Sequence, residues 1–189
     1  MRIDEAQREM RRIYLGGSDG AFVCAILWLG SAAIATWGSR TLAVYVLMLG
    51  GAFIFPAMTL VLKLMGRPAF ASKENPLNKL AMQVAFTVPL SIPLILAATK
   101  NQPEWFYAGF LIVVGAHYLP FVTLYGNPFF YGVGAIMIGA GVALPLLQPG
   151  VFAVGGWFAG VMFAVLGVWL AVSHAGEAAK LATAPTHSP

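Results

Sequence analysis

Residues 105–173 read WFYAGFLIVVGAHYLPFVTLYGNPFFYGVGAIMIGAGVALPLLQPGVFAVGGWFAGVMFAVLGVWLAVS, and this stretch contains no Asp, Glu, Lys or Arg. A second stretch, between Asp19 and Glu74, has no acidic residue. A helix of about 20 apolar residues crosses the hydrocarbon core of a bilayer. Only 10% of the chain is charged, against about 25% in ordinary globular domains. The sequence therefore predicts an all-α, polytopic membrane protein.

Short polar or Pro- and Gly-containing links divide the apolar sequence into six predicted transmembrane helices. These are Gly20–Trp37, Thr41–Leu62, Leu80–Ala98, Trp105–Tyr125, Phe129–Leu147 and Val151–Ser173. Two links end in Asn-Pro, at Asn75-Pro76 and Asn127-Pro128. Asparagine caps exposed amides there, and proline opens a helix without losing a hydrogen bond. We expect one six-helix bundle over residues 17–174.

The two ends of the chain differ from the bundle. Residues 1–16 place apolar side chains at helical spacing between charged ones, at Ile3, Ala6, Met10, Ile13 and Tyr14. This pattern predicts an amphipathic helix on the cytoplasmic leaflet, with its arginines facing anionic lipid. The alternative is a solvated, charged leader. Residues 175–189 are rich in Ala, Thr, Ser and Pro, and we expect a disordered cytoplasmic tail because they have nothing to bury.

The basic residues are distributed unevenly about the predicted helices. Nine of the eleven fall on one side of the membrane: Arg2, Arg8, Arg11, Arg12, Lys63, Arg67, Lys73, Lys79 and Lys180. Arg40 and Lys100 fall on the other side. The positive-inside rule then predicts that both termini are cytoplasmic. Because the basic residues flank apolar runs, the predicted partner is membrane lipid and not nucleic acid.

Small residues form stripes on the last two predicted helices. The fifth carries Gly132, Ala135, Gly139 and Ala143, and the sixth carries Gly156, Gly160, Ala164, Gly167 and Ala171. Such faces let helix backbones approach closely in a membrane. The short link between the two helices favours packing of one against the other. Use of the same faces in a homodimer is the alternative.

The fourth predicted helix carries the candidate site. His117 lies about twelve residues into it, near mid-membrane at about 1.5 Å per residue. Ionisable residues at that depth are rare and usually functional. We expect Tyr118, Thr123 and Tyr125 of the same helix, and Gln83 of the third, to line a pocket with it. The alternative is a neutral imidazole that joins two helices by hydrogen bonds.

The motifs of several enzyme classes are missing. The chain has no His-Glu-x-x-His, no Gly-x-Ser-x-Gly and no Asp pair within the predicted helices. Cys24 is the only cysteine, so neither a disulfide nor a cysteine-based metal site can form within one chain. Coupling through a buried carboxylate is also excluded, since the predicted helices contain none. We therefore predict no enzyme, no metal and no cofactor.

Two functions remain open. The first is binding or transport of a small solute through a pocket near the fourth helix. The second is a non-transporting membrane scaffold or partner subunit that associates through its glycine-rich helix faces.

Five segments form a distinctive set across the chain. They are Asp4–Arg12, Gly66–Pro68, Asn75–Leu77, Pro103–Phe106 and Tyr118–Gly126. This set resembles a family of small bacterial integral membrane proteins known only as a domain of unknown function. The resemblance extends over nearly the whole chain. It implies a location in the bacterial inner membrane, and it brings no activity, substrate or cofactor with it.

Overall fold

The computed structural model describes the backbone of residues 1–183 and the side chains as far as Gly176. The helices are α1 Ile3–Ile13, α2 Ser18–Trp37, α3 Arg40–Ala52, α4 Ile54–Leu64, α5 Leu77–Thr99, α6 Trp105–Tyr118, α7 Phe121–Tyr125, α8 Phe129–Leu147 and α9 Val154–Thr183. A 3-10 turn, Leu15–Gly17, joins α1 to α2. The part of the chain that the structure describes contains no strand, which confirms the predicted all-α class.

Five helical segments are long and apolar enough to cross a membrane. They are Leu15–Trp37, Leu77–Thr99, Trp105–Tyr125, Phe129–Leu147 and Val154–Gly176. The bent pair α3 and α4 makes a sixth if the two helices together form one span. The prediction of a polytopic helical membrane protein is confirmed, with five to six candidate spans.

The second predicted helix, Thr41–Leu62, is broken in the structure. The axes of α3 and α4 differ by 57° across a break at Phe53. Pro56 lies in the first turn of α4, where its missing N–H costs no hydrogen bond. In a continuous helix the carbonyl of Ala52 would need that N–H as its donor, so Pro56 favours a break before it. The N–H of Phe53 bonds instead to the carbonyl of Gly50 at 2.9 Å, which closes the end of α3.

The two helix starts predicted from Asn-Pro are confirmed, whereas the C-terminal end extends further than expected. The side-chain oxygen of Asn75 accepts from the N–H of Leu77 at 2.9 Å, and that of Asn127 accepts from Phe129 at 3.0 Å. Residues 175–183, part of the expected disordered tail, continue α9 as a helix. Alanine, glutamate and lysine are good helix formers, which accounts for the extension. Residues 184–189 lie outside the described residues.

The bundle packs α2 against α9 and α6 against α8. Both pairs approach closely at glycines. A methyl carbon placed on Gly134 would lie 2.8 Å from the carbonyl oxygen of Gly115, and one on Gly160 would lie 2.6 Å from Cδ2 of Leu29. Backbones can approach this closely only where a side chain is missing.

The last two helices touch, with the rings of Phe129 and Trp169 stacked, but not along the predicted small residues. Gly156, Gly160 and Gly167 do pack closely, but against Tyr107, Leu29 and Phe22 of other helices. Among the described residues, no neighbouring atom lies within 4 Å of a Cβ built on Gly132 or Gly139 of α8. The glycines of α8 that meet a neighbour are Gly134 and Gly141. Positions two apart lie about 200° apart around a helix, so Gly132 and Gly139 point away from this contact.

Candidate functional site

His117 joins two helices. Its Nδ1 lies 2.9 Å from the carbonyl oxygen of Val84 and 3.0 Å from Oγ1 of Thr87, both on α5. A carbonyl oxygen can only accept, so Nδ1 carries the proton and donates to it. His117 lines neither of the two pockets that are described below. This geometry corresponds to the alternative of a neutral imidazole that holds α6 against α5.

The neighbouring carbonyl is also satisfied. Pro120 deprives the carbonyl of Ala116, beside His117, of its usual helical donor. The N–H of Leu119 donates to this oxygen at 3.2 Å instead. The carbonyl of Ala116 is therefore not a spare acceptor beside His117.

The other predicted binding residues do not gather around His117. Tyr118 lies beside it, with ring centroids 6.0 Å apart, and is buried. Tyr125 is buried further along, near Gly17. Gln83 and Thr123 have exposed side chains, so they do not line a buried site with His117. Gln83 precedes Val84 by one residue, which turns it about 100° around α5 from the carbonyl that His117 contacts.

Polar groups instead gather at the end of the bundle that carries the N-terminus. We call this region the leader cap: α1, the turn Leu15–Gly17, residues 65–76 and α7. The apolar face of α1 packs on the protein, with Ala6, Met10 and Ile13 only 0%, 2% and 4% exposed. The predicted amphipathic helix is therefore present, and its apolar face covers the end of the bundle.

The leader cap satisfies the open end of α7. The last carbonyls of a helix have no donor within the helix. Gln7 Nε2 donates to the carbonyl of Thr123 at 2.8 Å, and Arg11 Nη1 donates to that of Tyr125. Arg11 also places a positive charge at the negative end of the helix dipole. Gly126 ends α7 in a left-handed conformation, with φ 62°.

A second set of hydrogen bonds ties α1 to residues 65–76. The carboxylate of Glu9 accepts from the N–H of Ser72 at 2.9 Å and from Asn75 Nδ2 at 2.8 Å. The same Asn75 amide donates to the carbonyl of Ala6 at 3.1 Å, and Arg67 Nη2 donates to the carbonyl of Arg12 at 2.8 Å. The Ser72 N–H, assisted by the side chains of Asn75 and Ser72, lowers the pKa of Glu9 below its ordinary value.

Asp19 is a buried carboxyl at the start of the first span. It is 5% exposed, one oxygen accepts from the N–H of Gly20 at 2.8 Å, and Oδ2 has no hydrogen-bond partner among the described residues. Arg67 attracts Asp19 electrostatically, and Nε of Arg67 is itself buried, with no partner in the part of the chain that the structure describes. A buried, unsatisfied polar atom is costly. It marks a position where an added donor would lower the free energy.

Sequence reasoning missed Asp19 because the predicted first helix began at Gly20. The structure starts α2 at Ser18 and the candidate span at Leu15, so the carboxyl lies inside the span. This corrects the exclusion of a buried carboxylate. The signal was present in the Gly-Ser-Asp sequence before an apolar run, which is typical of a helix start.

A small pocket lies beside this region. Its volume is about 30 Å³, and its lining is Arg11, Gly16, Tyr125, Asn127, Leu170, Ser173 and His174. The ring of Tyr125 also lies 3.5 Å from a Cβ built on Gly17, two residues before Asp19. Tyr125 therefore connects the pocket to the turn that precedes the buried carboxyl. No group of three or more His, Cys, Asp or Glu residues that could hold a metal ion occurs among the described residues.

The fold and this site define a polytopic, all-helical membrane protein whose polar groups concentrate under an N-terminal helix at one end of the bundle. The sequence matches DUF7010, a family of unknown function, over residues 3–173, and the chain belongs to that family. This match confirms the resemblance found in the sequence. No curated protein matches the chain, and no solved structure matches it.

Proposed function

We propose that a small polar solute enters the leader cap at the pocket beside Tyr125, at the end of the fourth span, and binds at the carboxyl of Asp19, which does not itself line that pocket. The observation that carries the proposal is that Asp19 is buried and that its Oδ2 has no hydrogen-bond donor among the described residues. Ionisable residues within membrane-spanning segments commonly mark the path of a solute or a proton. Oδ2 of Asp19 lacks a donor among the described residues, whereas the ring of His117 has hydrogen-bond partners on α5.

The pocket restricts what can bind. A volume of about 30 Å³ admits only a group of water-like size, unless the leader cap opens. A solute that reaches Asp19 should donate a hydrogen bond, because Oδ2 of Asp19 lacks a donor among the described residues. Ammonium has the water-like size that the closed leader cap admits, whereas methylammonium and guanidinium are larger and require the cap to open. Binding of such a donor would be the first step of its transport across the membrane.

Asp19→Asn is expected to abolish stabilisation by the solute. A ligand at 100 times its Kd stabilises the folded state by about 2.7 kcal/mol. The melting temperature of the detergent-solubilised protein is measured with ammonium, methylammonium and guanidinium salts at constant ionic strength. Wild type and the control Glu104→Gln should both respond to at least one cation, and Asp19→Asn to none.

Two results would contradict this proposal. One is an equal response of Asp19→Asn and wild type to every cation, which would place binding elsewhere. The other is the absence of any response in wild type. Flux of the responding cation into proteoliposomes then tests whether binding leads to transport.

The orientation predicted from charge forms part of the proposal: a bacterial inner-membrane protein with both termini in the cytoplasm. The hydrogen bond from Arg67 to Arg12 supports it, because two of the basic segments meet at one end of the bundle. In a Cys24→Ala background, cysteines introduced at Arg40 or Lys100 should react with a membrane-impermeant thiol reagent applied to intact cells. A cysteine at Lys73 should not react. The reverse pattern would invert the topology.

A non-transporting membrane scaffold that associates through its glycine-rich helix faces is the second candidate function, and one observation favours it. Gly132 and Gly139 form an exposed strip on α8 that no other described part of the chain covers within 4 Å. Small residues on an exposed membrane helix permit close approach of a second helix. A Gly139→Cys variant in the Cys24→Ala background should then form a disulfide-linked dimer in native membranes, and its failure to do so would count against a scaffold role for this face.

A further inference from the structure

A groove opens on the outer surface of the bundle along α4. Its volume is about 360 Å³, and its lining is Phe55, Pro56, Thr59, Leu60, Lys63 and Phe70. Five of these residues follow one face of α4, and Phe70 approaches from the segment after it, with its ring 6.2 Å from that of Phe55. The 57° break sets α4 at an angle to α3.

The groove has an apolar length and one charged end. Phe55 and Lys63 are eight residues apart, which is roughly 12 Å along a helix. Phe55, Leu60 and Phe70 are well exposed, so the apolar part faces outward from the bundle. Lys63 lies in the last turn of α4, at the end of the bundle that carries most of the basic residues. It forms no ion pair with a carboxylate among the described residues.

We propose that this groove binds one anionic phospholipid, with an acyl chain along Phe55, Leu60 and Phe70 and its phosphate at Lys63. The charge of Lys63 favours an anionic headgroup, because the phosphate of a zwitterionic lipid is compensated by the ammonium of its own headgroup, whereas that of phosphatidylglycerol is not. The groove is shallow and open along one side, which suits an acyl chain that stays in contact with the surrounding bilayer. Thr59 supplies a hydroxyl near the charged end.

The site is distinct from the solute pocket. The two linings share no residue. Lipid binding here therefore does not depend on the proposed solute function, and either can fail without the other. Residues 65–76 connect the two regions, since Phe70 lines the groove while Ser72 and Asn75 bind the leader helix. A bound lipid would hold this segment in place.

Native mass spectrometry of the full chain tests the proposal. The protein in detergent is titrated with phosphatidylglycerol or phosphatidylcholine of identical acyl chains. Lys63→Gln should weaken the first phosphatidylglycerol adduct about fivefold, as expected for one basic residue near an anionic lipid surface. The phosphatidylcholine adduct should weaken much less, because its phosphate is already compensated by choline. Lys79→Gln is the matched control, because it removes the same charge at the same end of the bundle but does not line the groove.

A second variant tests whether an acyl chain binds along the apolar part of the groove. Leu60→Trp should fill the groove and reduce adducts of both lipids, and its fold is checked by circular dichroism. Leu60 is 57% exposed, so the larger ring does not enter the core. If Lys63→Gln and Lys79→Gln weaken the phosphatidylglycerol adduct equally, general surface charge explains the binding and the proposed phosphate site is wrong. If a folded Leu60→Trp protein keeps its lipid adducts, the acyl chain does not bind in the groove.

Discussion

Gly160→Leu is expected to destabilise the bundle strongly, whereas Gly139→Leu is expected to leave its stability nearly unchanged. A Cβ on Gly160 would lie 2.6 Å from Cδ2 of Leu29 and 3.0 Å from the Leu29 backbone nitrogen. The side chain can rotate away, but the backbone atom cannot move without displacing α2 from α9. Overpacking of this kind typically costs about 1–3 kcal/mol, occasionally more.

The two variants form a matched pair. Each introduces the same side chain into a glycine stripe that the sequence alone did not distinguish. Thermal unfolding in detergent, followed by circular dichroism, should show a clear drop in melting temperature for Gly160→Leu only. An equal drop in both variants would mean that Gly139 is packed against protein as well. No drop in either would place the α2–α9 contact in doubt.

Asn75→Ala is expected to release the leader helix. This side chain is 2% exposed and makes three hydrogen bonds, to the carbonyl of Ala6, the carboxylate of Glu9 and the N–H of Leu77. Its removal leaves those groups without that partner, and each buried group left unsatisfied costs about 1–3 kcal/mol. We expect a total loss of about 2–4 kcal/mol, at the upper end for a single substitution.

Hydrogen exchange measures this release directly. The amides of α1 should exchange much faster in Asn75→Ala, while those of α6 and α8 should remain protected. Asn101→Ala is the control, since Asn101 is exposed in the loop before α6. Unchanged protection of α1 in Asn75→Ala would show that its apolar face alone holds it in place.

The docking of the leader helix should also depend on pH. Hydrogen bonds from Ser72 and Asn75 to the ionised carboxylate lower the pKa of Glu9. The stabilisation is therefore fully present above the ordinary pKa of the carboxyl, and it is lost as the pH falls through the lowered value. A spin label on Arg8→Cys in the Cys24→Ala background should become more mobile in acid. Glu9→Gln should remove this pH dependence.

Much of the architecture could be predicted from the sequence. Long runs without charge predicted the membrane class, since no soluble fold can bury so many apolar residues in so short a chain. The starts of α5 and α8 followed from Asn-Pro, and the spacing of Ala6, Met10 and Ile13 predicted the amphipathic leader. Each of these properties depends on a local pattern of residues, so no knowledge of neighbouring helices was needed.

The candidate site could be predicted only in part. His117 was correctly recognised as a polar residue that needs a hydrogen-bond partner. That partner is the backbone carbonyl of Val84. Because every residue has a backbone carbonyl, no sequence pattern shows which one is used. Asp19 was placed just outside the first predicted helix, which began at Gly20. The span starts at Leu15 in the structure, and this difference of about one turn decides whether Asp19 is buried. Tyr125 was selected as a neighbour of His117, and it lines a different pocket instead.

The sequence by itself determined that this chain forms apolar helices, where most of them begin and which residues are small enough for close packing. Only the tertiary structure decided which helices meet. Gly132 and Gly134 carry the same information in the sequence, yet one faces outward and the other lies against the backbone of Gly115. The physical reason is that helix periodicity follows from local geometry, whereas pairing and burial depend on contacts between residues far apart in the chain.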